Sequence, residues 1–594
     1  MGQGIAMEKG GKANYRMVLW GVPAVMLVAP LLLPDFYTTL LAYTGLSAIV
    51  VIGLVVLTGI GGITSFGQAT FVGISAYTTG VLSTTMGWSP WASLVAALVL
   101  TCVAAAAIGL LTVRLSGHYL VLGTIAWSIS LYYVFGNLSI LGGYNGLSGV
   151  PSVSIFGYSL AGFAQSYYLI WGLALLVILG TFNLLDTRTG RAIRALRNPV
   201  LAESFGVDVY RMRLFIFIYA ALLAAVAGWL QAHYLRFVNP TPFGFDASIE
   251  YAFMLVLGGA TQVWGAVIGA FVLIVGKTGL QILLPKISPE IAHWDKLALG
   301  LMIVVLFHHA RSGILSARSA AALRPRRKAS DYQQAMPTAE LQATPLLRVV
   351  GVTKRFGSLV AVNKVSFEVE PSQIVGVIGP NGAGKSTLFN LITGTLGVDE
   401  GAVWLGDCCI TKLRPHDVVR HRVARTFQHV QLRPGQSVLD NVALGGHWLG
   451  RKGFIASLFH AERAEELSLK SRAMAAIERV GLADVAFDDA HSLSLGKQRI
   501  VEIARALTAD PCVLLLDEPA AGLRYQEKVQ LAELIRQLSD EGLTVLVVEH
   551  DMEFLMDLAH KIVVVNFGTK LCEGPPGRVQ NDPQVVETYL GVES

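Results

Sequence analysis

Gly379-Pro-Asn-Gly-Ala-Gly-Lys-Ser-Thr387 fits, from Gly379 to Ser386, the spacing G-x-x-x-x-G-K-[ST]. The run before it, Gln373-Ile-Val-Gly-Val-Ile378, is short, apolar and β-branched, while Leu388-Phe-Asn-Leu-Ile-Thr after it reads as helix. That strand–turn–helix context makes the stretch a phosphate cradle. Gly379, Gly382 and Gly384 let successive backbone N–H groups turn toward one anion, and the helix that follows adds the positive end of its dipole. Lys385 is placed to reach the β- and γ-phosphates, and the Ser386 hydroxyl to ligate Mg²⁺.

Around this cradle the composition is uneven. The 594 residues exceed one core, 53% are hydrophobic and only 15% charged, against about a quarter charged in soluble proteins. The mean hydropathy is +0.54. Apolar segments of membrane-spanning length all precede Phe307, so a membrane half is followed by a soluble half. The net charge of +5 comes without a basic-aromatic pattern, which sets nucleic acid aside. Five cysteines, Cys102, Cys408, Cys409, Cys512 and Cys572, lack metal-ligand spacing and read as reduced thiols.

Candidate spans are 17–33, 40–58, 66–82, 91–113, 119–135, 168–185, 214–235, 251–275 and 297–307, a count of about eight to ten. Lys9, Lys12 and Arg16 precede the first, which is read as a membrane helix rather than a cleaved leader. Arg188, Arg191, Arg194, Arg197, Arg211 and Arg213 share one loop, and a second basic stretch follows His309; both are expected in the cytoplasm. Glycines at helical spacing, including Gly258-Gly259 and Gly265-x-x-x-Gly269, point to close helix packing, and the Gly-rich run 58–67 to an interrupted helix beside a pathway. Charged residues are nearly absent from the spans, which argues against a proton-driven carrier. His233 and Arg236 are expected at an interface, and Asp246 and Glu250 as helix caps.

Within the basic loop, Gly190-Arg-Ala-Ile-Arg-Ala-Leu-Arg197 places Ile193 and Leu196 three apart among arginines, an amphipathic helix stopped by Asn198-Pro199 and followed by Ala202-Glu-Ser-Phe-Gly206. It is either a headgroup-lying helix or a docking peg for a nucleotide-driven domain. Residues 311–346, which carry Arg324-Pro-Arg-Arg-Lys328 followed by polar and Ala-rich sequence, read as a flexible linker. The expected domains are therefore a transmembrane region 1–310, the linker 311–346 and a soluble region 347–594.

In the soluble half, Val365-Ser-Phe-Glu-Val369 alternates as an antiparallel strand, whereas Cys512-Val-Leu-Leu-Leu516, Val545-Leu-Val-Val548 and Ile562-Val-Val-Val565 are apolar runs alternating with helices. This predicts an α/β fold, a buried parallel sheet with an antiparallel edge. Asp517 and Glu518 end one buried strand. Asp517 is suited to hold Mg²⁺ and Glu518 to activate the attacking water.

The order of the cradle, Gln428 after Arg425-Thr-Phe, Leu493-Ser-Leu-Gly-Lys-Gln-Arg499, Leu514-Leu-Leu-Asp-Glu-Pro519 and Val548-Glu-His550 resembles the ATP-binding subunit of an ABC transporter. That resemblance implies a helical subdomain and assigns roles by position. Phe356 would stack on adenine; Gly379, Asn381, Gly382, Gly384, Lys385, Ser386 and Thr387 would hold ATP. Ser386, Gln428 and Asp517 would hold Mg²⁺. Glu518, His550 and Gln428 would be catalytic, with His550 on the γ-phosphate. Ser494, Gly496 and Gln498 would complete the site of a partner ATPase. Leu495 and Lys497 depart from the usual signature L-S-G-G-Q, and Arg524 stands where Asp is common, so one composite site could be weak.

Glu518-Pro-Ala-Ala-Gly-Leu523, Glu549-His-Asp-Met552 and Thr588-Tyr-Leu-Gly591 are similar to the ATP-binding subunit of branched-chain amino-acid importers. Tyr144-Asn-Gly-Leu-Ser-Gly-Val-Pro151, the 190–197 and 202–206 stretches and Leu257-Gly-Gly-Ala-Thr-Gln-Val-Trp-Gly265 resemble their permease. The resemblance implies a fused permease–ATPase subunit in a bacterial inner membrane, its ATPase cytoplasmic and its coupling loop carrying Arg191, Arg194, Arg197, Ala202 and Gly206. It also implies a second permease, a second ATPase, an extracytoplasmic binding protein, surrounding membrane lipid and a small-molecule substrate. Similar subunits serve urea and short amides; the rivals are an exporter and an ATP-driven regulatory membrane complex that moves no solute.

Overall fold

The computed structural model describes residues 28–115, 117–287, 294–309, 313–315 and 346–590. The chain divides into two compact units: Met1–Arg197, Tyr210–Pro325 and Leu458–His460 form the first, and Asn198–Val209, Arg326–Ser457 and Ala461–Ser594 the second. Most of the expected first span, 17–33, and of the linker, 311–346, lies outside the described residues.

The helices up to the cassette are α1 (Asp35–Leu54), α2 (Gln68–Thr84), α3 (Pro90–Thr112), α4 (His118–Asn137), α5 (Phe163–Leu185), α6 (Arg188–Ala195), α7 (Pro199–Ser204), α8 (Val209–Leu235), α9 (Phe245–Gly258), α10 (Val263–Ile287) and α11 (Asp295–His309). Among the described residues six helices are long and apolar enough to cross a membrane: α1 with the turn that extends it to Ile60, α3, α4, α5, α8 and α10. Their boundaries follow local chemistry. Ser89 caps α3 by accepting the Ala92 N–H at 3.3 Å, with Pro90 in the first position, where no helical partner is needed.

The interruption expected at 58–67 is present. A π-helical turn, Val55–Ile60, gives way to non-helical backbone before α2. The freed groups are satisfied by protein, as hydrocarbon requires: Thr58 Oγ1 donates to Ile63 O at 2.8 Å, Phe66 N to Thr124 Oγ1 at 3.2 Å and Ala69 N to Ser248 Oγ at 3.2 Å.

Two expectations need correction. The apolar run 251–275 is not one span but parts of α9 and α10, folded back on each other at Gly259, whose φ of 112° a side chain would strain. The backbones touch there: a Cβ on Gly258 would lie 1.7 Å from Gly265 O, and one on Gly269 1.9 Å from Met254 O. Glu250, in turn, is no cap. It accepts from Lys277 Nζ at 2.6 Å across this hairpin.

In the second unit the strands are β1 (Leu347–Phe356), β2 (Leu359–Val369), β3 (Ile374–Ile378), β4 (Glu400–Leu405), β5 (Cys408–Cys409), β6 (Val423–Arg425), β7 (Val513–Asp517), β8 (Thr544–Val548), β9 (Lys561–Asn566) and β10 (Thr569–Gly574). One sheet runs β6-β7-β8-β3-β9-β10, parallel except for the last pair; the other, β2-β1-β4-β5, is antiparallel. Because side chains alternate along a strand, Leu514, Leu516, Val545 and Val547 enter one core while Val513, Leu515, Leu546 and Val548 enter another. Helices α12 (Lys385–Ile392), α13 (Val438–Ala443), α14 (Arg463–Arg479), α15 (Leu495–Leu507) and α16 (Tyr525–Asp540) complete the parts used below, with α13 and α14 packed on α15.

The hairpin contact predicts that Gly269→Ala destabilises the purified, detergent-solubilised chain by about 1–3 kcal/mol in thermal unfolding, the usual scale of overpacking. Gly279→Ala, on the same helix with nothing within 4 Å, does not destabilise and raises stability by up to about 1 kcal/mol.

Candidate functional site

The cradle is built as its sequence requires. Gly382 and Gly384 have φ of 83° and 97°. Gly379 leaves no room for a side chain, since a Cβ would lie 2.1 Å from Val565 O. Lys385 opens α12 and is buried, with Nζ donating to Gly379 O at 2.6 Å and Pro380 O at 2.9 Å. Burial pushes its pKa down while the charges of Glu518 and Asp517 push it back up, so all three side chains share one electrostatic site. Asn381 and Ser386 are exposed beside it and Thr387 half-buried. Phe356, at the end of β1, presents an exposed ring with Lys354 Nζ 5.7 Å from its centroid.

Strand ends supply the carboxylates. Glu518 follows β7 with φ of +48°, a strained value for a non-glycine residue, and it is buried. Its carboxylate accepts from Gln428 Nε2 at 2.9 Å, and its other oxygen lies 2.6 Å from His550 Nε2. Two residues far from it in sequence thus converge on the Glu518 carboxylate. Asp517 is buried beside them; its Oδ2 is 3.7 Å from Arg425 Nη2, and Oδ1 has no hydrogen-bond partner among the described residues. Burial raises the Asp517 pKa, opposed by Arg425. A buried carboxylate oxygen left over beside a phosphate cradle fits a hydrated divalent cation. Among the described residues no cluster of three His, Cys, Asp or Glu could cage a metal by itself, so such an ion would share the phosphates.

The signature residues lie elsewhere. Ser494 caps α15 by accepting Lys497 N at 3.4 Å, Gln498 Nε2 donates to Leu493 O at 2.8 Å, and Ser494 and Leu495 are exposed. Gly496 is buried, and a Cβ there would meet Glu527 Oε1 at 2.5 Å. Arg524 precedes α16, whose first turn Glu527 caps by accepting Arg524 N at 3.0 Å.

The coupling-loop residues divide. In the first unit Arg191 is buried in α6, Arg194 Nη1 donates to Leu185 O at 2.8 Å, and Arg197 Nη2 donates to Gly59 O. Ala202 and Gly206 belong to the second unit. There Asn198 caps α7 through Leu201 N at 3.2 Å and donates from Nδ2 to Gln431 Oε1 at 3.0 Å. Phe205 is fully buried with the Arg505 guanidinium 5.1 Å from its ring centroid. Gly206, at φ 86°, lies against Trp448, where a Cβ would come within 2.6 Å of the tryptophan Cβ.

Several residues of this unit carry weight that the sequence did not announce. Glu502 is buried; its Oε1 accepts from Arg505 Nη2 at 2.9 Å and Gln431 N at 2.7 Å, and Arg499 Nη1 stands 4.0 Å from its Oε2. Arg499 also donates to Phe427 O at 3.0 Å, beside Gln428, and Arg505 to Gln431 O at 3.0 Å. A continuous polar chain therefore joins Asn198 and Phe205 to the Gln428–Glu518 contact. The spacing of Arg499, Glu502 and Arg505, three apart on a buried helix, is the signal that could have exposed it. Glu549 is likewise buried and accepts from Ala520 N at 2.6 Å and His550 N at 3.1 Å, so it ties the backbone after Glu518 to that of His550. Glu502→Ala strands two buried guanidinium groups and is expected to cost about 3–5 kcal/mol in chemical unfolding of the purified chain. Glu533→Ala, on the exposed side of α16, costs less than about 0.5 kcal/mol.

Comparison with known proteins bears on both units. Residues 36–307 match the family model described as branched-chain amino acid transport system / permease component, 362–521 that of ABC transporters, and 569–594 that of branched-chain amino acid ATP-binding cassette transporters. The high-affinity branched-chain amino acid transport ATP-binding protein LivG of Escherichia coli is 42% identical over 251 residues, 42% of this chain and 98% of that protein. BraF of Pseudomonas aeruginosa, with the same description, is 41% identical over 250 residues, again 42% and 98%. A probable LivG of Archaeoglobus fulgidus is 32% identical over 252 residues, 42% of this chain and 96% of that protein. With a permease region of apolar helices and an ATP-hydrolysing cassette on one polypeptide, the chain belongs to the branched-chain amino acid ABC transporter family, a multi-pass membrane protein whose cassette is cytoplasmic.

Proposed function

We propose that this chain is a fused permease–ATPase subunit that imports branched-chain or other hydrophobic amino acids, with the permease in 1–310, a linker at 311–346 and the cassette in 347–594. The observation that carries it is the joining in one chain of a permease region and a cassette that both match branched-chain amino acid systems. Its partners are a second permease, a second cassette and an extracytoplasmic binding protein that delivers solute.

In the cassette, Phe356 stacks on adenine while the cradle N–H groups and Lys385 hold the phosphates. Ser386, Asp517 and Gln428 would hold Mg²⁺, which would supply positive charge to offset that developing on the phosphates. Glu518 takes a proton from the attacking water as the bond from the γ-phosphorus to the bridging oxygen breaks and ADP leaves. His550, 2.6 Å from Glu518, steadies the γ-phosphate. Ser494, Gly496 and Gln498 close the partner cassette's site, so hydrolysis needs two cassettes. Closure moves the Asn198–Gly206 segment through its contacts with Gln431, Trp448 and Arg505.

The test is ATP-driven uptake of radiolabelled leucine into sealed vesicles carrying the chain and its partner subunits. Uptake requiring the binding protein is expected, with Glu518→Gln lowering hydrolysis about 10²–10⁴-fold while nucleotide still binds. ATP hydrolysis stimulated by urea or a short amide, without leucine uptake, would move the substrate assignment. Asp517→Asn is expected to raise the Mg²⁺ concentration needed for half-maximal hydrolysis, read by metal titration.

A further inference from the structure

The ion pair on α9 and α10 has no part in the ATPase. Lys277 Nζ and Glu250 Oε1 are 2.6 Å apart, and their side chains are 39% and 32% exposed, so the pair stands at the surface of the first unit rather than in its core. It also stands at membrane depth. Ile314 N donates to Leu257 O and Leu315 N to Gly258 O, which puts the α9–α10 turn at the end from which the chain runs on to the cytoplasmic cassette. From Val263 at that end, Lys277 lies about 20 Å along α10 at 1.5 Å per residue, inside a hydrocarbon layer of about 30 Å.

Charges exposed to lipid tails at that depth cost several kcal/mol and are found instead facing a bundle interior or a water-filled cavity. The neighbouring positions follow the same division. Asp246 precedes Glu250 by one turn of α9 and Gln281 follows Lys277 by one turn of α10, so the antiparallel helices carry four polar residues on one shared strip. Ile282 and Leu283, on other faces of α10, are exposed and apolar as lipid demands.

We propose that this strip lines the transport path, and that the Glu250–Lys277 pair opens to hold the zwitterionic head of an amino acid, its ammonium on Glu250 and its carboxylate on Lys277. Without solute the two side chains neutralise each other. With solute, one internal contact is exchanged for two charge-assisted ones. Urea and simple amides, which carry no such pair of charges, gain nothing from the exchange. The proposal rests on the amino-acid reading above and adds a binding site to it.

The test uses the full chain with its partner subunits in vesicles, where Lys277→Cys, Gln281→Cys and Ile282→Cys are each treated with a charged methanethiosulfonate, and the signal of the five native cysteines is subtracted using the parent chain. Gln281→Cys keeps the ion pair, so it reports even if loss of Lys277 prevents folding. Reaction at 277 and 281 but not at 282 is expected, and at 281, where the ion pair is intact, excess L-leucine but not urea slows it about tenfold through the loss of access to one charge-assisted site. Silence at both 277 and 281 would mean lipid or a partner subunit covers the strip and would overturn the proposal. Reaction at 281 that leucine does not slow, in vesicles that take leucine up, would overturn the site and leave the importer standing. Vesicles of the parent chain that take up no leucine would sink both.

Discussion

The carboxylate of Glu518 is the point on which the cassette depends: Gln428 donates to it at 2.9 Å, His550 lies 2.6 Å away, and the backbone beneath it is held at a strained φ of +48°. Such a conformation persists only where its surroundings over-determine it. They do so through Glu549, which grips Ala520 on one side and the His550 amide on the other, and through the parallel register of β7 with β8. The strained backbone at Glu518 thus sets a carboxylate where three strand ends and the phosphate cradle meet.

Buried charge carries the same site outward. Burial raises the Glu502 pKa while Arg505 and Arg499 oppose it, and a lone carboxylate in that position would be costly. Its worth lies in what it fixes. Arg499 holds the Phe427 carbonyl next to Gln428, and Arg505 lies over Phe205 while holding the Gln431 carbonyl. A rigid polar bridge between the Asn198–Gly206 segment and the Glu518 environment follows, with little slack for one end to move alone.

Much of this was legible in the sequence because its signals are local. The cradle is nine contiguous residues, and the strands announced themselves as apolar runs. The role of Glu518 was legible from its place at the end of a buried strand, those of His550 and Gln428 came from resemblance, and their convergence could only come from the sheet order. Glu502 escaped notice because a glutamate on a helix ordinarily points to water; only burial of the face it shares with two arginines gives it meaning. The Glu250–Lys277 pair escaped for a different reason. If 251–275 were one continuous helix, those residues would stand about 40 Å apart, at 1.5 Å per residue. The reversal at Gly259 brings them together, and glycines at helical spacing were as consistent with ordinary packing as with a turn. The arginines of 191–197 suggested an outward-facing helix, yet Arg194 and Arg197 donate to carbonyls of Leu185 and Gly59.

The bridge from the Asn198–Gly206 segment to Glu518 is best tested by counting leucine molecules transported per ATP hydrolysed in the assembled transporter, with the native chain and with Gly206→Val, whose side chain has no room against Trp448. If that segment transmits closure to the permease, hydrolysis continues while the transported share falls sharply. An unchanged ratio, whether or not both rates drop, would contradict it.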